Sequence, residues 1–312
     1  MESLRVCFEA VLPIFLLMAL GYIAQRTGVV RRESVPAMNK AVFRYFMSFT
    51  MFQSLYASDL SQVVQPKLLT FGMAGTLVVY GAAVGWVLLT ECAPEKRGVK
   101  IQGIFRTNFL LLGLPLAQSL AQGEDMGAVA MLVAVIIPVY NVLAVITLEV
   151  FRGGRPQWGK VLLNVVKNPL ILGAAAGLLC LLLRVRLPSV LETAVGQISA
   201  VSTPMMLFLL GAFFRFDGLR RYRKDLAEVC LARLVAVPGA ALTAAYALGF
   251  RGAAFAGLIG MFGSSTAIAS FTMVQEQGGD DELAGDIVVA TSALCVVTLF
   301  LWSLLFRELG AF

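Results

Sequence analysis

Histidine is absent from the 312 residues. That removes the commonest metal ligand and the usual general base of enzymes. Charge is scarce as well: Asp, Glu, Lys and Arg make up 14% of the chain, where a soluble domain carries about 25%. The five cysteines (Cys7, Cys92, Cys180, Cys230 and Cys295) are scattered, with no CxxC pair. They read as small buried hydrophobes rather than as disulfides or metal ligands. There is no HExxH, no GxSxG, no paired aspartate at mid-span and no lysine in the middle of an apolar run, so nothing supports a membrane-embedded enzyme or a bound cofactor. Low-complexity tracts, long linkers and a soluble output domain are missing too, which weighs against a ligand sensor. A channel is the other alternative, and channels usually need oligomeric pore rings.

What the chain has in abundance is apolar sequence, 59% of all residues, with a mean hydropathy of +0.83. An all-α polytopic membrane protein follows. Roughly 20 apolar residues span a bilayer, and ten such stretches can be placed, at about 6–25, 36–57, 68–90, 101–121, 126–150, 164–183, 188–213, 226–249, 253–275 and 284–306. The first follows Glu2 rather than a basic region and lacks a small-x-small site behind it, so it reads as a retained helix, not a signal peptide. The net charge is +6, and no nucleic-acid-binding module explains it. Lys and Arg instead collect in connections 1–2, 3–4, 5–6 (Arg152, Arg155, Lys160, Lys167) and 7–8. The positive-inside rule makes these loops cytoplasmic and both termini extracytoplasmic. The expected place is the cell membrane, with the lipid bilayer as an obligate partner and no nucleic acid.

Ten spans divide as five plus five, and five is odd. A second copy of a five-helix unit therefore inserts upside down relative to the first. Faint echoes support two inverted repeats, residues 1–150 and 151–312. Pro13 precedes Gly21 by eight residues in span 1, and Pro169 precedes Gly177 by eight in span 6. Spans 2 and 7 each carry a polar mid-span position, Ser48 and Thr203-Pro204.

Spans 4 and 9 hold the two most telling interruptions. Gly263-Ser264-Ser265-Thr266 sits in the middle of an apolar run, and Arg106-Thr107-Asn108 precedes Gly113 and Pro115 in another. Lipid cannot satisfy backbone groups freed by a broken helix, so such breaks occur only against protein or a water-filled cavity. Paired interruptions in corresponding halves point to a transporter binding site near mid-depth. Half-helix N-termini there would present free N–H groups and partial positive charge suited to a carboxylate. Asn108, Thr107, Ser264, Ser265 and Thr266 are the candidate substrate ligands, against the alternative that small polar residues merely let helices pack closely. Arg106 either attracts an anion or snorkels to the cytoplasmic surface. For Arg44 and Arg233 snorkelling is the expectation. In Pro138-Val139-Tyr140-Asn141 the proline kinks span 5, and Asn141, with Tyr140 beside it, either borders the cavity or satisfies the freed backbone. Asn168 reads as a helix cap, Ser48 and Gln53 as possible neighbours of the substrate path, and Glu149 and Asp286 as interface carboxylates.

The ordered set Arg106-Thr107-Asn108-Phe109 with Gly113-Leu114-Pro115-Leu116, Pro138-Val139-Tyr140-Asn141, Asn168-Pro169 and Thr203 through Gly211 resembles the auxin efflux carrier family, the PIN-like branch of the bile acid/sodium symporter-like transporters. The likeness covers nearly the whole chain. It implies a scaffold of helices 1, 2, 6 and 7 and a transport domain of helices 3–5 and 8–10, with helices 4 and 9 broken and crossing at the site. It also implies an elevator-type carrier for a small organic anion such as a carboxylate, an H⁺ or Na⁺ coupling ion as a further partner, and a homodimer. This chain departs from the pattern in carrying Thr107 and Ser265 where members often have proline at the crossovers, and Ser48 where span 2 often has one. It also lacks the long central loop of the plant carriers.

Overall fold

The computed structural model describes residues 2–57, 65–121, 123–151 and 158–312, with the side chains of 2–10, 158 and 160 left aside. Arg152 and Arg155 of the expected basic loop lie outside the described residues. Every described element is helical, with one isolated β-bridge. All ten expected apolar stretches carry helix, and among the described residues five helices are long and apolar enough to cross a membrane, or six if a bent pair counts as one span.

In chain order, α1 covers Glu2–Arg26, α2 Val35–Ala41 and α3 Met47–Tyr56, the last two joined through a π-helical segment at Val42–Phe46. The helix α4 (Pro66–Thr90) begins with proline at its first turn, where the missing N–H is no loss. Then come α5 (Pro94–Phe105), a π-helical segment at Phe109–Gly113, α6 (Leu114–Leu120) and α7 (Gly127–Phe151). In the second half, α8 (Trp158–Lys167) and α9 (Pro169–Leu182) meet at 56°. Pro169 cannot donate back into α8, and Asn168 caps α9, its Oδ1 accepting from Leu170 N–H at 2.9 Å, the role expected of it. After α10 (Ser189–Phe213) and the short α11 (Phe216–Arg221), α12 (Arg223–Leu231) and α13 (Val237–Ala247) form one span through a third π-helical segment, Ala232–Ala236. The chain closes with α14 (Gly252–Gly263), α15 (Ala269–Gln277) and α16 (Asp281–Glu308).

Glycine sets the closest helix contacts. On α1 and α10, Gly21 lies against the Phe208 carbonyl and Gly211 against the Met18 carbonyl; on α9, Gly173 and Gly177 lie against the carbonyls of Ser48 and Phe52 in α3. Small residues let backbones approach without a hydrophobic driving force, which lipid does not provide. The α1–α10 and α3–α9 pairs thus use one device. Leucines of α1, α9 and α16 such as Leu16, Leu20, Leu179, Leu182 and Leu301 point outward, as lipid-facing side chains do. By contrast α14 is buried at Ala253 and throughout Phe255 to Gly263. It sits on α6, α13 and α16, so the broken elements occupy the middle of the bundle.

Charge is handled at one end. Lys100, 2% exposed, bonds Glu91, Asp225 and Glu228, and Lys96 bonds Asp225 at 2.9 Å. The Asp225 carboxylate beside it raises the Lys96 pKa above its usual value. Two cysteines depart from expectation: Cys92 is exposed and Cys180 half-buried, while Cys230 and Cys295 are buried. Each of the two stands at or near a helix end, where α4 and α9 finish. The expected interface carboxylates part company. Glu149 is half-buried and accepts from Asn164 Nδ2 at 2.9 Å, whereas Asp286 is buried at 3% exposure against Gly218.

Candidate functional site

Both interrupted helices do break, and they do so without proline. α5 ends at Phe105, and Arg106 turns extended with φ −86° and ψ 115°. α14 ends at Gly263, and Ser264 turns extended with φ −71° and ψ 163°. The two extended pieces meet as an antiparallel bridge between Thr107 and Thr266. Asn108 N–H donates to Ser265 O at 2.8 Å, and Ala267 N–H donates to Arg106 O at 3.1 Å. Side chains complete the knot. Thr266 Oγ1 donates to Gly103 O at 2.7 Å, Thr266 N–H donates to Thr291 Oγ1 at 3.2 Å, and Ser292 Oγ donates to Ser265 Oγ at 3.2 Å. Each break therefore supplies partners for backbone that the other frees, which is what a bilayer interior demands.

The far side of the crossing is closed by Arg233. The expectation that it snorkels is overturned: its relative exposure is 0%. Its Nε donates to Ser264 O at 2.9 Å, Nη1 to Ile104 O at 3.2 Å, and Nη2 to Phe262 O at 2.8 Å and Met261 O at 3.4 Å. These are carbonyls at the C-terminal ends of α5 and α14, where helix dipoles carry partial negative charge. The acceptors lie deep in the protein, so the guanidinium turns inward. Arg44 is exposed, in keeping with the expectation for it.

The near side opens into a cavity of about 110 Å³. Arg106, Thr107 and Asn108 line it from the first break, Ala267 and Ile268 from the second, and Tyr140 and Asn141 from α7. Thr50 and Met51 of α3 and Ser202 and Thr203 of α10 face them across the gap. Arg106 is 3% exposed, so it too is buried inside the protein. Its Nη2 donates to Asn141 Oδ1 at 2.5 Å and its Nη1 to Gln102 Oε1 at 3.4 Å. Among the described residues neither Arg106 nor Arg233 forms an ion pair. Of the two roles considered for Asn141, the structure shows the first: it borders the cavity, while its Nδ2 donates to Ile137 O at 2.8 Å, which is not the Ala134 carbonyl that Pro138 leaves without a donor. Tyr140 packs its ring on Phe105, centroids 6.0 Å apart. Asn108 is 5% exposed, and its Nδ2 has no hydrogen-bond partner among the described residues. The helix beginning at Phe109 and α15 beginning at Ala269 both start at this cavity, so two positive dipole ends flank the same space.

Of the residues singled out in the sequence, the structure brings Arg106, Thr107, Asn108, Tyr140 and Asn141 to the cavity. Ser264, Ser265 and Thr266 are at most 1% exposed and lie in the crossing itself, toward Gly103, Thr291 and Ser292 rather than on the cavity wall. Ser48 bonds back to Arg44 O at 2.9 Å, and it and Gln53 stay off the wall, where Met47, Thr50 and Met51 stand instead. The sequence reading missed Thr50 and Ser202, which carry no signal beyond being polar in an apolar run. It had the signal for Arg233, a charge inside a span, and took the wrong direction for the side chain.

A family model described as "Membrane transport protein" matches residues 6–157 and 154–303. An "Uncharacterized transporter" of Methanothermobacter thermautotrophicus is 23% identical over 309 residues, covering 95% of this chain and 97% of that protein.

Proposed function

The chain belongs to the membrane transport protein family, and from that premise we propose that it is a secondary carrier for a small organic anion, with a carboxylate as the class best suited to the site. The observation that carries this reading is one arrangement. Arg106, a buried guanidinium with no carboxylate partner among the described residues, and Asn108, whose Nδ2 has no partner among them, line a cavity onto which two helix N-termini open. A buried cation is costly unless paired, and an anion in the cavity lowers that cost. Asn108 Nδ2 supplies a neutral donor, and of the five N–H groups of Arg106 three are held by Asn141, Gln102 and Met273 Sδ, which leaves two for a ligand. A volume of about 110 Å³ is below the 300 Å³ and more of sites for drug-sized ligands, which favours a molecule of few heavy atoms.

The same proposal extends to architecture. Ten spans in two inverted five-helix repeats, 1–150 and 151–312, account for the mirrored contacts. Span 1 meets span 7 through Gly21 and Gly211, as span 2 meets span 6 through Gly173 and Gly177, and each broken helix crosses its counterpart at Thr107 and Thr266. The α1–α10 and α3–α9 pairs form the scaffold. The broken helices with α4, α7, α12–α13 and α16 form the moving body, and the cavity lies between the two, where an elevator-type displacement would carry it across the membrane. In the same reading the basic connections are cytoplasmic and both termini outside by the positive-inside rule, the protein sits in the cell membrane, and it assembles as a homodimer through the scaffold.

Thermal-shift binding of purified protein to a panel of mono- and dicarboxylates, with Asn108→Ala beside wild type, tests the site. Stabilisation of wild type alone supports it by mass action. Equal stabilisation of both moves the site elsewhere, and no response to any carboxylate removes the anion assignment.

A further inference from the structure

Among the described residues, Arg233 donates its hydrogen bonds to backbone carbonyls only. Its four acceptors are Ile104 O from the last turn of α5, and Met261 O, Phe262 O and Ser264 O from the end of α14. The donor comes from a third element, the π-helical segment Ala232–Ala236, and such segments recur at functional sites. Each helix C-terminus carries about half a negative charge. Two of them converging amount to roughly one, which a monovalent cation balances. In carriers built on discontinuous helices, half-helix C-terminal ends and unwound carbonyls are the groups that coordinate a coupling sodium. Here those groups face an arginine tethered to the same body and fully enclosed.

We propose that Arg233 is a built-in counter-cation, filling the carbonyl cradle at the back of the crossing where a sodium ion would otherwise sit, so that the crossing is assembled, and substrate taken up, without sodium. The inference rests on the carrier reading above but concerns a residue that does not line the anion cavity. It assigns the two buried arginines separate work. Arg106 faces the substrate space with donors to spare, and Arg233 holds the two half-helices together as a positioning residue that touches no substrate. It also accounts for breaks made without proline: a permanent cation binds both helix ends, where proline would only forbid their continuation.

The test compares wild type, Arg233→Ala and Arg233→Lys, each purified and melted in chloride salts of sodium, potassium and N-methylglucamine at equal ionic strength, and with millimolar guanidinium added. Wild type melts at the same temperature in all three salts. Arg233→Ala melts several degrees lower and regains part of the loss in sodium or in guanidinium, but not in N-methylglucamine. Arg233→Lys lies between, with little response to sodium. A sodium-specific rise in wild type overturns the proposal, and that arm stands even if Arg233→Ala fails to fold. Indifference of Arg233→Ala to every cation also overturns it, leaving a clasp with no cation requirement. The carrier reading is checked apart from this by malonate uptake into vesicles: wild-type uptake unchanged when sodium is replaced supports both, uptake that requires sodium sinks the inference alone, and absent uptake with the cation responses intact counts against the carboxylate assignment alone.

Discussion

Gly113 and Gly260 stand face to face where the π-helical segment Phe109–Gly113 meets α14, and a Cβ built on either would run into the backbone carbonyl of the other. The contact brings the two broken elements to backbone distance just beyond the Thr107–Thr266 bridge. Because the neighbour on each side is main chain, no rotamer change relieves a clash. Gly113→Ala and Gly260→Ala are each expected to destabilise by roughly 1–3 kcal/mol, the usual cost of overpacking, and to cost less together than the sum, since one displacement accommodates both. Melting curves of the single and double variants check this. Additive losses would show that the two glycines do not share one contact.

Asn108 presents the reverse case, a group with room and no partner. Replacing it by alanine removes a buried unsatisfied donor, so the unliganded protein should melt within about a degree or two of wild type or slightly higher, because loss of an unpaired polar group is not destabilising. Carboxylate affinity should drop about 10- to 100-fold, the equivalent of one hydrogen bond to a charged acceptor at roughly 1.5–3 kcal/mol. Titration by thermal shift measures both quantities in one series.

Arg106 and Asn141 act as a pair, with Nη2 and Oδ1 2.5 Å apart. Asn141→Ala leaves the guanidinium buried with only Gln102 as a side-chain oxygen partner, and the expected result is weaker anion binding together with lower stability. Arg106→Gln abolishes the charge, and with it the preference for anions over neutral analogues of the same shape. Arg106→Lys keeps the charge but not the fork that reaches Asn141, and its affinity should fall between. In a double-mutant cycle the two sites should couple by about 0.5–3 kcal/mol. A coupling indistinguishable from zero would mean that Asn141 serves Ile137 O and not the cation.

Much of this was legible in the chain. The apolar runs placed the helices, and Arg106-Thr107-Asn108 and Ser264-Ser265-Thr266 marked both breaks, because polar residues at mid-depth have no other use for their backbone than to pair it internally. The roles within each tripeptide were not legible. Thr107 and Asn108 meet the cavity, whereas the serines and Thr266 turn away, and that choice depends on which face α16 covers through Thr291 and Ser292. Arg233 was misread for a related reason. Its distance from the nearest loop is visible in sequence, but the carbonyls awaiting it belong to helices about 30 and 130 positions away. The Lys100 cluster hides likewise, since Glu91, Asp225 and Glu228 come from elements that adjoin only on folding.

Thr266 separates assembly of the crossing from recognition of the substrate. Its hydroxyl donates to Gly103 O at 2.7 Å, tying the second break to the last turns of α5, while the residue is 1% exposed and stands off the cavity wall. Thr266→Val keeps the shape and removes the bond, with an expected loss near 1 kcal/mol, the net value of a typical buried hydrogen bond. Once the protein is folded, its carboxylate affinity should stay within about threefold of wild type, since no donor facing the anion has changed. Asn108→Ala should show the opposite pattern, with stability kept and affinity lost. Measuring melting temperature and carboxylate affinity for both variants therefore sorts the polar residues of the two breaks. If Thr266→Val loses affinity as steeply as Asn108→Ala while melting normally, the hydroxyl reaches the substrate in a conformation other than this one, and the second break joins the binding site.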